Sequence, residues 1–145
     1  MDLEVRKKHE NLWFSVILYV LETGVPVDGV WNLACIKEAI LEKQNIDEWP
    51  FNSCYLCAKY ICEECPLTLN GNICLKFYNN IDLYNFEQQI VIFIYIATCF
   101  LELAGASLQQ CREYAFKRLY EIGINNPVAI FRLKELRQYL SEKGL

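Results

Sequence analysis

The sequence predicts an all-α fold of about five helices packed on one core, with a short cysteine-stapled β-hairpin inserted between the second and third helices. Three observations predict it. Apolar residues recur at helical spacing on both sides of a central block. Glycine, proline and asparagine fall where helices should start and stop. The one stretch in which the helical period fails, about 49–80, carries five of the eight cysteines and an Asn-Gly pair.

A first helix covers residues 2 to about 22, charged over its first ten positions and then apolar on nearly all sides; Thr23-Gly24-Val25-Pro26 ends it with a glycine and a proline. Asp28 is placed to cap a second helix, in which Val30, Leu33, Ala34, Ile36, Ile40 and Leu41 face the core and Lys37, Glu38, Glu42 and Lys43 face solvent, running to about Gln44. Trp49-Pro50 then forces extended backbone. A third helix is expected from about Asp82 to Leu103, and a fourth from its cap Ser107 to about Ile122. The fifth begins at Pro127, with Asn126 as its cap, and reaches about Ser141 on the apolar set Ile130, Leu133, Leu136 and Leu140.

At 145 residues the chain is long enough for one domain, residues 1–145, with its own core, and 54% hydrophobic residues exclude a disordered or fibrous chain. The two most apolar runs, 12–21 and 90–101, fall short of the roughly 18 residues a membrane helix requires, so they read as core helices and no membrane partner is expected. The charged N-terminus, Met1-Asp2-Leu3-Glu4 onward, has no secretory character. A cytoplasmic location follows as the expectation. It makes thiols, rather than disulfides, the expected state of the cysteines.

The cysteines are spaced Cys54-x2-Cys57-x4-Cys62-x2-Cys65, with Pro66 next and Cys74 beyond. Two residues between thiols let one tight turn present both sulfurs to a single tetrahedral ion, so zinc is the cofactor this pattern predicts. Asn70-Gly71 is the signature of a two-residue type I′ hairpin. In that register Leu69 pairs with Asn72, Thr68 with Ile73 and Leu67 with Cys74, and Cys65 lies diagonally across from Cys74 on the same face. Cys54, Cys57, Cys65 and Cys74 then form a knuckle joined to a hairpin, with Cys62 a near neighbour. Two x2 pairs, Cys54, Cys57, Cys62 and Cys65, form the alternative set. Cys65-Pro66 also resembles the end of a bacterial ferredoxin run, so an iron–sulfur protein is a competing reading, although the spacing differs and no flavin or nicotinamide motif accompanies it.

No catalytic residue is predicted, and an enzyme is not expected. The single histidine, His9, lies among charged residues and reads as solvated; no His-x-Glu, Gly-x-Ser-x-Gly or nucleotide-binding glycine loop occurs. Cys35, Cys99 and Cys111 lie in apolar helical stretches and read as core. Charge is uneven: residues 107–145 hold 7 basic and 4 acidic side chains in a chain of net charge −4. Arg112, Lys117, Arg118, Arg132, Lys134 and Arg137 therefore form a stripe that raises nucleic-acid binding as a secondary function. The interspersed glutamates favour a plain solvated face instead.

The block Trp49-Pro50-Phe51-Asn52-Ser53-Cys54-Tyr55-Leu56-Cys57, then Cys62-Glu63-Glu64-Cys65-Pro66-Leu67 and Cys74, resembles a cysteine arrangement in small uncharacterised proteins of phages and mobile elements. The resemblance covers about 26 residues. It implies a small intracellular protein with a structural zinc that works by binding a host protein, as an inhibitor or adaptor. The aromatic excess adds a homodimer through the apolar helix 82–103 as a further expectation.

Overall fold

A computed structural model of the chain describes residues 3–44, 65 and 80–144. The described residues are helical without strands: α1 (Leu3–Thr23), α2 (Val30–Lys43), a 3-10 turn (Ile81–Leu83), α3 (Phe86–Ala97), α4 (Cys99–Leu103), α5 (Leu108–Ile122) and α6 (Pro127–Glu142). The all-α class is therefore observed. The hairpin at 67–74 lies outside the described residues.

α1 is the axis of the bundle, packing against α2, α3, α5 and α6. Its run of residues 12–21 is apolar on nearly every side because nearly every side meets another helix. Trp13, Phe14, Ile17 and Leu21 are shut off from solvent and join Phe93, Ile94, Leu133 and Leu136 in one hydrophobic cluster. The Trp13 and Phe93 rings lie 5.6 Å apart between centroids.

Gly24 ends α1 at φ +70, with its N–H on the Val20 carbonyl at 2.9 Å. The glycine is required twice over. Left-handed backbone penalises a side chain, and a Cβ here would stand 2.6 Å from the guanidinium carbon of Arg132. That guanidinium donates to the carbonyls of Leu21, at 2.8 Å, and Glu22, so a side chain of α6 closes the C-terminus of α1.

The expected caps of the last two helices are in place. Ser107 and Gln110 exchange bonds of 3.1 and 2.8 Å in a capping box, and Asn126 accepts the Ala129 N–H at 3.1 Å ahead of Pro127 at the start of α6. Two boundaries differ from expectation. Gly29, not Asp28, stands before α2, with no side-chain cap; Asn32 reaches back to accept the Asp28 N–H at 3.2 Å. The expected helix 82–103 is divided. Asn85 and Gln88 form a capping box that starts it at Phe86, leaving Asp82 in the 3-10 turn. It breaks again at Thr98, whose hydroxyl donates to the Ile94 carbonyl at 2.8 Å, a local bond that competes with helix continuation.

Gln89, fully buried, ties these pieces together. Its Oε1 accepts the Val27 N–H at 2.7 Å, and its Nε2 lies 2.8 Å from the Val27 carbonyl, 3.0 Å from that of Ile81 and 3.3 Å from that of Tyr84. One carboxamide thus fixes the α1–α2 connection to the turn that leads into α3.

Candidate functional site

Of the five clustered cysteines, Cys54, Cys57, Cys62 and Cys74 lie outside the described residues. Cys65 is described. It is 7% exposed and packs within the hydrophobic cluster of the bundle. Among the described residues no three His, Cys, Asp or Glu side chains are grouped to hold a metal. Cys99 and Cys111 are buried as expected, whereas Cys35 is exposed, a correction that follows from the phase of α2: Leu33, Ile36 and Leu41 turn inward and residue 35 turns away.

The largest departure from the sequence reading is a buried polar centre on α1. His9, expected on the surface, has no solvent exposure. Its Nε2 lies 2.7 Å from the Ile96 carbonyl, which requires the proton on that nitrogen, and its Nδ1 has no hydrogen-bond partner. Burial first, then the charge of Lys37, pushes its pKa down to about 4 against the partial opposition of the Ile96 bond, so the ring is neutral at physiological pH. The Cys99 sulfur stands 3.9 Å from the same Nε2. Because that nitrogen already carries its proton, it cannot take one from the thiol, and the pair has the geometry of core packing rather than of nucleophile and base.

Lys37, expected on the solvent side of α2, is also buried, its ammonium 5.2 Å from the centroid of the Trp13 ring. It lies one helical turn from both Leu33 and Leu41, which are fully buried, so the inward stripe passes through it. The aromatic face receives the cation. Next to His9, Glu10 is 5% exposed and accepts the Tyr114 hydroxyl, with the Arg118 Nε at 3.9 Å. Burial, reinforced by the Glu10 carboxylate, raises the Tyr114 pKa. A signal for this centre exists in the sequence. Positions 9, 12, 13, 16, 17 and 20 form one helical stripe, and His9 is its first member.

The basic stripe is not a uniform face. Arg132 is bound to α1 carbonyls, and Arg118 reaches Glu10 and, at 2.9 Å, Glu121. Arg112 and Arg137 line a common cavity of about 190 Å³ between α5 and α6. Lys117 and Lys134 are exposed. A wider groove of about 550 Å³, walled by Tyr19, Ile40 and Lys43 among others, runs between α1 and α2. No helix among the described residues is long and apolar enough to cross a membrane. Within α3, Ile90, Phe93, Ile94 and Ile96 have no exposure, whereas Phe86, Val91, Ile92 and Tyr95 are half-buried.

No family model, curated protein or solved structure matches the chain.

Proposed function

We propose that this chain is a small cytoplasmic zinc-binding interaction protein, without catalytic activity, that acts as an inhibitor or adaptor on a host protein in the manner of phage-encoded proteins. The zinc is structural, held by four of Cys54, Cys57, Cys62, Cys65 and Cys74. The observation that carries the interaction reading is Trp31, 86% exposed at the start of α2 although the bundle core is already filled by Trp13, Phe14 and Phe93. Tryptophan is the side chain most often found anchoring protein interfaces. Phe131, 65% exposed on α6, adds a second exposed aromatic ring. Cys65, buried in the core, would anchor such a zinc staple to the bundle. Nucleic-acid binding becomes weaker than the stripe suggested, because Arg118 and Arg132 already have partners inside the fold.

Metal analysis and a binding assay test the two halves separately. One equivalent of zinc in a colourless preparation is expected, and Cys65→Ser is expected to lose it. A brown preparation with visible absorbance would replace zinc by an iron–sulfur cluster. Trp31→Ala with Phe131→Ala should keep the helical circular dichroism and the zinc while abolishing capture of the protein that the wild type retains. Undiminished capture by that double variant would exclude these two side chains as the interaction surface.

A further inference from the structure

Arg112 on α5 and Arg137 on α6 converge on the same cavity of about 190 Å³. Its floor is apolar and closed, formed by Phe116 and Leu140 at 7% and 4% exposure. The Arg137 guanidinium carbon lies 5.9 Å from the centroid of the Phe116 ring, a cation–π contact that keeps the charge over the floor. Gln109 and Ser141 stand at the rim with further hydrogen-bonding groups. Neither arginine of the cavity takes part in the ion pairs seen among the described residues, which include Glu4–Lys8, Glu10–Arg118 and Arg118–Glu121. Glu113 also lines the cavity, but it accepts from the Gln109 amide at 3.4 Å, and the two arginines leave a net charge of one positive unit there.

We propose that this cavity binds a phosphoryl group, free or carried as a monoester. A guanidinium presents a planar fork that pairs with two oxygens of one group. A carboxylate satisfies one such fork. Two forks delivered by different helices suit the non-coplanar oxygens of a tetrahedral phosphoryl group, with Ser141 and Gln109 able to complete its hydrogen bonds. The chain as a whole is acidic, so attraction is local to the cavity and affinity for the bare ion is on the order of millimolar. The inference needs neither the zinc nor the protein partner, and its failure leaves the interaction reading untouched.

The full-length protein is tested by thermal melts in 10–50 mM inorganic phosphate, O-phosphoserine, acetate or chloride at constant ionic strength, with amide chemical shifts of α5 and α6 followed in parallel. Inorganic phosphate is expected to raise Tm by about 4 °C over chloride and to move the amide signals around Arg112 and Arg137. A larger rise with O-phosphoserine identifies a monoester as the source; an equal one identifies free phosphate. Arg112→Gln should cancel the rise, and the exposed-lysine control Lys117→Gln with Lys134→Gln should retain it. Arg112→Lys and Arg137→Lys, which keep charge and lose the fork, should lower the affinity at least fivefold and cover the case in which a glutamine variant folds poorly. Equal melts in phosphate, acetate and chloride, or a phosphate response that survives Arg112→Gln, would overturn the proposal.

Discussion

His9 gives the molecule a proton-dependent weakness. In the folded chain its pKa is about 4 because the ring is fully buried beside Lys37, whereas an unfolded histidine titrates near 6.5. Between those values the unfolded chain holds the extra proton, so stability is complete above about pH 6.5 and falls as pH drops toward 4. The ceiling of the loss is about 3 kcal/mol. His9→Gln retains a donor for the Ile96 carbonyl and does not titrate. Melts between pH 7.5 and 4.5 should show the wild type losing more Tm than this variant, and parallel losses would mean that other groups control the acid response. The same residue shows where sequence reading stops. Lys7, Lys8 and Glu10 surround His9 and announce a solvated segment, yet the stripe that begins at His9 is inside. Lys37 is hidden for the same reason: a charged residue on the inward face contradicts the pattern that defines the face, and a facing aromatic ring, supplied here by another helix, helps accommodate it.

Helices in this chain are legible where their ends are chemical and less so where they are tertiary. Ser107, Asn126 before Pro127, and Gly24 all act through neighbours in sequence, and each was expected. The division of the third helix was not, because Asn85 caps its start and Thr98 interrupts it by side-chain bonds within a long apolar run. Arg132 is the clearest case of a residue whose role is set from far away. It belongs by charge to a basic stripe and by geometry to the end of α1. Arg132→Ala should destabilise the fold by about 1–2 kcal/mol, measured by urea unfolding, through the carbonyls it leaves without a partner. Gly24→Ala should cost a similar amount or more, since it combines left-handed backbone with a steric conflict at the guanidinium. If Arg132→Ala were neutral, water would be capping α1 as well as the guanidinium does. Gln89→Leu removes the partners of one N–H and at least two carbonyls in a site without solvent, and a loss of about 3 kcal/mol is expected in the same assay.

For the whole molecule, an all-α bundle was legible because five apolar stripes cannot be buried except against one another. Of the cysteine pattern at 54–74, only Cys65 lies among the described residues, and it is buried in the core. What the stripes did not reveal is that α1 would be the axis. Nothing local distinguishes a helix covered on one face from one covered on all, except that residues 12–21 leave almost no polar face to spare. On the proposed zinc reading, a chelator should act unevenly: protease cleavage within 49–80 should increase while the helical signal of α1, α3 and α6 is largely retained. A complete collapse of helicity on chelation would show that the bundle does not stand without the metal.

The Arg132 contact with the end of α1 also sets an order of events. Residues 21 and 22 leave the ribosome long before residue 132 is made, and the face of α1 that α6 covers is bare for all of that interval. α1, made before α6, is thus completed only after it, and its most apolar stretch passes through that interval without its final cover. A chaperone that holds such stretches would find residues 12–21 open until α6 is made.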